Sequence, residues 1–281
     1  MMTSRKLRRR VQQVVVFILL GLVLLVVLFP IYWMLLTAVK PASELYLPEP
    51  KLWTSQPSLN SLGSLFYRTP VPQQMRNSMS IASAVTLVSL MASAMGSYSL
   101  SRLRYPGRDF FAAAIFFTYL IPGSLLLIPL YTLFSGLGLL NSLHGIGLAY
   151  LSFSIPFCTW MLKGYFQSIP MDLEEAALVD GCTRLRALAF VILPLAAPGL
   201  VASAIFAFTL SWNEYLVAFV FNNKSTLMTL PVGLSSLIFG DVFLWGEIMS
   251  GATLMSIPVL ILYFMAQRFI VTGLTAGAVK A

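Results

Sequence analysis

The chain has 281 residues, of which 58% are hydrophobic and only 10% are charged, and its formal net charge is +8. This composition, with a mean hydropathy of +0.84, excludes a soluble domain of this length. It predicts a protein of the lipid bilayer.

Six apolar stretches are each long enough to form a transmembrane helix, which needs about 20 mostly apolar residues to cross about 30 Å of hydrocarbon. The sequence therefore predicts an all-α, polytopic membrane protein with one domain over residues 1–281. The predicted spans are residues 14–36, 78–100, 110–134, 145–162, 196–220 and 249–266. Pro156 interrupts the fourth span and residues 212–215 interrupt the fifth, so a count of five or seven spans is the alternative to six.

The basic residues indicate the orientation of these spans, because cytoplasmic loops are enriched in Lys and Arg. With the N terminus in the cytoplasm, the basic residues that fall outside are only Lys40, Lys51, Arg68, Arg76 and Lys224, of 18 in all. Both termini are therefore predicted to be cytoplasmic. The charges are spread over several loops, so we expect no nucleic-acid partner.

The sequence offers no catalytic or metal-binding pattern. It contains no glycine-rich phosphate loop, no HExxH and no GxSxG motif, and Cys158 and Cys182 lack the spacing of a metal site. We predict that the chain is not an enzyme and holds no cofactor or metal. Any ATP-driven step must then come from another polypeptide.

An amphipathic loop, residues 164–194, separates the fourth and fifth predicted spans. Asp172 and Glu175 have the spacing of a capping box, and Gly181 suits a helix C terminus. On this short helix Leu173, Ala176, Ala177 and Asp180 share one face, and the two alanines make that face smooth. The pattern predicts a surface that fits a partner's groove; a plain interfacial helix is the alternative.

The rest of this loop predicts a connection to the fifth span. A second amphipathic stretch, Thr183 to Ile192, ends before Pro194, and Pro194 and Pro198 then set the angle at which the chain enters the membrane again. Such a hairpin can transmit a push from outside the bilayer to the helix that follows it.

Prolines and polar residues within the predicted spans suggest a translocation pathway. Prolines lie at positions 30, 122, 129, 156 and 258 of the predicted spans, where each removes a backbone donor and bends a helix. Trp212, Asn213 and Glu214 either line a translocation path, because an acid within a span is costly and usually functional, or mark the outer interface. The sequence leaves these two interpretations open.

Several motifs carry a family resemblance. Glu175-Ala176-Ala177, Gly181 and Leu193-Pro194 resemble the EAA loop of binding-protein-dependent ABC importer permeases, with Val191 where isoleucine is usual. Lys40-Pro41 with Glu44, the run 212–215 and the ending 267–280 are similar to the carbohydrate branch, the MalG family. This resemblance covers essentially the whole chain.

The resemblance implies a type I ABC importer permease fold with a cytosolic coupling helix, in the inner membrane of a bacterium or archaeon. It implies a heterodimer with a second permease, an ABC ATPase dimer that carries ATP and Mg, and an extracytoplasmic solute-binding protein that delivers a carbohydrate. The coupling residues would be Glu175, Ala176, Ala177, Asp180, Gly181, Leu193 and Pro194. The C-terminal tail, residues 267–281, would reach the ATPases through Leu274, Thr275, Ala276 and Gly277.

Two alternatives remain at this point. The first is an ABC importer permease for a solute other than a sugar. The second is an ion-coupled secondary transporter, which predicts several acidic residues within the membrane. Glu214 is the one acid that the predicted spans contain, so the ABC permease is the favoured interpretation.

Overall fold

The computed structural model describes residues 2–240 and 242–278, with the side chains of residues 2–9, 268 and 270–278 outside that description. The chain divides into two compact units. The terminal unit comprises Met1–Thr69 and Leu237–Met255, and the central unit comprises Pro70–Ser236 and Ser256–Ala281.

The regular secondary structure of the described residues is helical apart from one very short hairpin. In chain order the α-helices are α1 Met2–Val39, α2 Ala42–Leu45, α3 Asn60–Arg68, α4 Val71–Arg102, α5 Arg108–Leu120, α6 Gly123–Gly136, α7 Leu143–Ser168, α8 Met171–Val179, α9 Arg184–Ala187, α10 Leu193–Leu195, α11 Ala197–Asn213, α12 Leu216–Phe221, α13 Leu230–Ser235 and α14 Trp245–Ala278. A π-helix, Leu188–Ile192, joins α9 to α10, and a 3₁₀ turn, Ser225–Leu227, precedes α13. Strands β1, Ile238–Phe239, and β2, Val242–Phe243, pair in antiparallel fashion with Ile238 opposite Phe243.

The described residues contain four to six candidate membrane spans. Four helices, α1, α4, α7 and α14, are long and apolar enough to cross a bilayer unaided. Two bent pairs also pass the test of length and hydropathy together: α5 with α6, at an angle of 100°, and the segment Arg184–Leu195 with α11, at an angle of 82°. In the second pair α11 lies in the predicted fifth span, and Arg184–Leu195 precedes that span. Counting each bent pair as one span gives the predicted six, within an all-α fold as expected.

The helices extend beyond the apolar runs from which the spans were predicted. α7 continues to Ser168, into the loop assigned to residues 164–194, and α14 continues through the assigned tail as far as Ala278. Hydropathy marks the hydrocarbon that a helix crosses, whereas backbone hydrogen bonding decides where the helix ends. The side chains of Leu274, Thr275, Ala276 and Gly277 lie outside the described residues.

The five prolines of the spans differ in their effect. Pro122 precedes α6 at the sharp bend that separates α5 from α6. Pro30, Pro129, Pro156 and Pro258 instead lie inside continuous helices. The helix continues through these four positions, because a transmembrane helix tolerates proline where nearby groups satisfy the freed carbonyl.

The central unit is organised around the pair α4 and α7, which meet along a row of small hydroxyl side chains. The hydroxyls of Ser89 and Ser154 lie 2.6 Å apart, and Ser97 donates to the carbonyl of Thr159 at 2.7 Å. Between them the hydroxyl of Thr159 donates to that of Ser93 at 3.1 Å. We call this row the hydroxyl seam; its small residues let the two backbones approach closely, which is how helices associate in lipid.

An apolar cluster extends the core from this pair to the helices that follow. Its buried members are Ile81, Val85, Phe134, Ile146, Ala149, Tyr150, Val217, Ala218, Phe221 and Val232. They come from α4, α6, α7, α12 and α13, so the broken fifth span is held against the first half of the central unit. Short helices that could not be stable alone are stabilised by this packing.

We predict that Ser89→Leu destabilises the protein, because Ser89 is fully buried against Ser154 and the seam has no room for a larger side chain. Overpacking of this kind costs about 1–3 kcal/mol. The matched control is Val88→Leu, at the neighbouring exposed position. Thermal unfolding of the detergent-purified protein should show a lower midpoint for Ser89→Leu alone; equal midpoints would contradict the role of the seam.

Candidate coupling site

The loop between α7 and α11 contains a helical hairpin, residues 169–196, whose first arm is α8. This helix begins after Pro170, which has an extended backbone, φ −55° and ψ 138°, and no side chain caps it. The capping box predicted from Asp172 and Glu175 is therefore wrong: the helix starts two residues earlier, and Asp172 lies inside its first turn. Asp172 and Glu174 still place negative charge at the positive end of the helix dipole.

The end of α8 follows the sequence pattern. Gly181 has φ +87°, in the left-handed region that side chains with a Cβ rarely adopt. The amide of Gly181 donates to the carbonyl of Leu178 at 3.1 Å, and that of Cys182 donates to the carbonyl of Ala177 at 3.0 Å. These paired bonds stop the helix where Gly181 predicts, and they turn the chain toward the second arm.

The two faces of α8 differ from the face that the spacing predicts. Ala177 is buried, whereas Leu173, Ala176 and Asp180 are exposed. Glu175 and Val179 are exposed as well, and Val179 exposes 87% of its surface. We define the docking surface as Leu173, Glu175, Ala176, Val179 and Asp180. It is small, partly apolar and acidic, and the sequence prediction omitted Val179 from it and wrongly included Ala177.

The second arm packs through its apolar side. Thr183 caps α9 by accepting a hydrogen bond from the amide of Arg186 at 3.4 Å. In the π-helix the amide of Leu193 reaches back to the carbonyl of Leu188, just before Pro194, which has no amide of its own. Leu193 is partly buried and Pro194 is exposed, so only the former contributes to the packing.

A second apolar cluster fixes this arm to the ends of the spans. Its buried members are Tyr98, Phe166, Ile169, Leu188, Ile192 and Ala196. They join the last turns of α4 and α7 to the π-helix and to the bend before α11. The hairpin is thus a packed part of the central unit, and its docking surface is the side left uncovered.

Below this cluster lies a buried charged group that the sequence prediction missed. Glu174, whose side chain is 6% exposed, lies with its Oε2 3.5 Å from Nε of Arg102, whose side chain is 3% exposed. The hydroxyl of Tyr98 donates to Oε1 of Glu174 at 2.5 Å. Nη2 of Arg102 also donates to the carbonyls of Phe166 at 2.6 Å and Ile169 at 2.8 Å.

A signal for this group was present in the sequence. Glu174 and Ala177 are three residues apart and so share a helix face, and Arg102 ends an otherwise apolar span. Glu174 and Glu175 are adjacent and identical in type, however, and only the packing shows that the first points inward and the second outward.

The predicted path residues occupy three different environments. Trp212 is fully buried and stacks on Phe208, with ring centroids 5.7 Å apart, whereas Asn213 is exposed. Glu214 ends α11, and its carboxylate accepts from the amides of Val217 at 2.9 Å and Ala218 at 3.2 Å. Glu214 therefore caps α12 across the break in the fifth span.

The same acid lines a cavity of about 290 Å³. The lining comes from the bend between α5 and α6, from α7, and from both sides of the break between α11 and α12. It comprises Thr118, Tyr119, Ile121, Gly123, Ser124, Leu127, Phe153, Phe206, Leu210, Glu214, Leu216 and Val217. Two helix breaks therefore face one mostly apolar space that has a few polar groups.

The motif residues near the N terminus form a separate polar cluster in the terminal unit. Lys40 is buried, its ammonium lies 4.6 Å from the centre of the Trp33 ring, and it donates to the carbonyl of Lys51 at 2.5 Å. Glu44 pairs with Lys51 at 3.0 Å. Hydrogen bonds from Thr54 and from Lys51 hold the pKa of Glu44 below its ordinary value.

Up to six apolar spans with a packed hairpin before the fifth define a multi-pass membrane protein. Residues 88–276 match the family described as binding-protein-dependent transport system inner membrane component. The chain belongs to this family.

Relatives across bacteria agree with this assignment. The chain is 34% identical to the inner membrane ABC transporter permease protein YcjP of Escherichia coli, over 93% of this chain and 94% of that protein. It is 36% identical to the diacetylchitobiose uptake system permease protein DasC of Streptomyces coelicolor, over 90% and 91%. It is 37% identical to the sulfoquinovosyl glycerol transport system permease protein SmoH of Agrobacterium fabrum, over 90% and 89%.

The fold matches a solved transporter. A chain of a bacterial ABC transporter involved in the import of the acidic polysaccharide alginate superimposes with a TM-score of 0.81, at 24% identity, over 92% of this chain and 96% of that one. The likeness places the present chain in the ABC importer permease fold.

We predict that Gly181→Ala weakens the hairpin, because a Cβ in the left-handed region costs about 1–2 kcal/mol. Gly164→Ala is the matched control, since a Cβ there meets nothing within 4 Å and the residue is helical. Hydrogen exchange should show faster exchange of the α8 amides in Gly181→Ala only. Equal protection in the two variants would refute the structural role of Gly181.

Proposed function

We propose that this chain is the permease subunit of an ATP-driven importer for a carbohydrate. The observation that carries the proposal is the docking surface, an exposed acidic and apolar face on a hairpin that is itself packed between the ends of the spans. The assignment to sugars is supported by the names of the relatives, which include transport systems for diacetylchitobiose and sulfoquinovosyl glycerol, and by a 33% identical permease of a trehalose transport system in Mycobacterium tuberculosis.

The partners follow from this role. A separate pair of ATPase subunits, carrying ATP and Mg, binds the docking surface from the cytoplasm, and an extracytoplasmic solute-binding protein delivers the sugar. A second permease completes the path in a heterodimer. In support of this, no residue is buried in the most apolar part of α1, so the surface of this helix is available to lipid or to another subunit. The chain lies in the inner membrane with both termini in the cytoplasm.

The chemistry of the docking surface indicates what the ATPase must present. Ala176 is small enough for close approach, Val179 offers apolar contact, and Glu175 and Asp180 carry negative charge. A cleft with an apolar floor and a basic rim is the complementary surface, because exposed charges mainly steer and align a partner while the apolar centre provides affinity. Gly181 shapes this surface, Leu193 supports it from the second arm, and Pro194 is an exposed coupling residue of that arm. The C-terminal residues Leu274 to Gly277 add a further contact with the ATPases.

The cavity at the two helix breaks is the part of the translocation path that we assign to this subunit. Tyr119, Phe153 and Phe206 provide ring faces on which a sugar can stack, and Glu214 and Thr118 provide polar atoms. Glu214 faces the path in this proposal and Asn213 lies beside it. Trp212 supports the wall from within, because it is fully buried.

We expect Glu175→Arg and Ala176→Trp to abolish retention of the ATPase and uptake, since one reverses a charge and the other adds bulk at the centre of the docking surface. The control is Asp109→Arg, which reverses another exposed charge, in the first turn of α5. Each variant is expressed with its partner subunits, and ATPase copurification is measured beside the amount of permease in the membrane. Normal copurification in both docking variants would disprove the assignment.

Glu214→Ala should lower both stability and uptake, because it leaves two amides of α12 without their acceptor. Loss of a helix cap costs about 0.5–2 kcal/mol. Glu214→Gln keeps one acceptor oxygen and should fall between wild type and Glu214→Ala in thermal unfolding. If Glu214 also lines the path, Glu214→Gln loses uptake by more than its small loss of stability explains; uptake that simply follows stability would remove Glu214 from the path.

A further inference from the structure

We propose that Glu174, Arg102 and Tyr98 form a latch that ties the coupling helix α8 to α4, so that a movement of α8 is passed directly to α4 and to the end of α7. The three residues act as positioning residues for transport. The inference rests on the proposed docking of an ATPase to α8 and adds the route by which that docking reaches the spans.

The latch is built from one face of α4. Tyr98 and Arg102 are four residues apart and therefore lie on the same side of that helix. Both contact the same carboxylate: the tyrosine hydroxyl reaches Oε1 of Glu174 and the guanidinium lies beside Oε2. Two contacts from one helix to both oxygens of one side chain hold α8 in position and in rotation about its axis.

The guanidinium also includes α7 in the latch. Arg102 donates to the carbonyls of Phe166 and Ile169, at the C-terminal end of α7, where a helix leaves carbonyls without intrahelical partners. A cation is favourable at this end of a helix dipole. The planar guanidinium thus joins the ends of two spans to the coupling helix, a geometry that the ammonium of lysine cannot reproduce.

Burial keeps the latch closed. The side chains of Glu174 and Arg102 are almost completely inaccessible to solvent, so separating them would leave each buried charge without its counter-charge. Removing one member of such a pair is far more damaging than replacing both with apolar residues. The contact therefore persists while the subunit moves, and α8 travels with α4 as one body.

The covalent route to the next span is less direct. From α8 the chain passes through α9, the π-helix and α10, and then bends by 82° before α11. A push that followed the backbone would be absorbed in these short elements and at the bend. The latch crosses from α8 to α4 through side chains alone, and the hydroxyl seam continues the rigid connection along α7.

Glu174 and Glu175 have different roles in this proposal. Glu175 points outward and belongs to the docking surface, whereas Glu174 is 5% exposed and points toward α4. Substitution of each should therefore give a different defect. Loss at Glu175 detaches the ATPase, and loss at Glu174 leaves the ATPase attached to a hairpin that no longer moves α4.

The test uses the complete transporter in nanodiscs, with spin labels on Cys182 and on a cysteine introduced at Met95, an exposed position of α4. Cys158 is replaced by serine. Distances between the labels are measured without nucleotide and with ATP and Mg bound. In the otherwise unchanged protein we expect the same distance distribution in both states, because α8 and α4 move together.

The informative variant is the double substitution Glu174→Leu with Arg102→Met, which removes both charges and so leaves no unpaired buried charge to unfold the protein. We expect it to retain the ATPase and to show a shifted and broadened distance when ATP is bound. Glu174→Gln, which keeps hydrogen-bond acceptors without the charge, should give a smaller shift. Glu175→Gln, the matched control, should leave the distance unchanged.

The outcomes separate this inference from the proposed function. If no ATPase copurifies with the wild-type chain, the proposed docking fails. If the ATPase is retained and the double variant keeps the wild-type distance in both states, the latch is refuted. Loss of the ATPase from Glu174→Gln would place Glu174 in the docking surface and would equally overturn the latch.

Discussion

In a bilayer every backbone polar group must find its partner within the protein, and this constraint governs the whole structure. It restricts the spans to helices. Wherever a helix is interrupted, a side chain must form a hydrogen bond with the backbone groups that the interruption leaves free. At the break in the fifth span the carboxylate of Glu214 satisfies two amides of α12, and the buried Tyr150 hydroxyl lies 3.4 Å from the carbonyl of Glu214. At the end of α7 the guanidinium of Arg102 donates to the carbonyls of Phe166 and Ile169. The polar residues that look costly in the sequence are those that complete the backbone.

The contacts that connect the hairpin to the spans have a different origin. A hairpin at the membrane surface can satisfy its backbone with water, so its position must be fixed by side chains. The apolar cluster around Phe166 and Ile192 packs the hairpin against the spans, and the ion pair of Glu174 with Arg102 fixes the orientation of α8. Family membership supports the proposed function, in which the hairpin is the surface through which a separate ATPase acts on the helices.

Sequence patterns predicted the number of spans, the position of the hairpin and the helix stop at Gly181, because hydropathy and glycine conformation are local properties. They failed where two local signals compete and where a contact between distant residues decides the structure. The capping pattern of Asp172 and Glu175 was overridden by Pro170, which starts α8 earlier. The inward turn of Glu174 depends on Arg102, 72 residues before it in the chain, and no local spacing encodes that contact. The ATPase-binding role of the docking surface and of the C-terminal residues stays a prediction.

The hydroxyl seam has a consequence for how the chain is assembled during synthesis. The serines of α4 enter the membrane well before α7 has been made, and until then their hydroxyls can bond to carbonyls one turn back in their own helix. Their lasting partners, Ser154 and the carbonyl of Thr159, arrive only with the fourth span. The second span is therefore inserted early but reaches its final packing only after the fourth span has been made. A nascent chain that ended before residue 160 would leave α4 without these contacts to α7.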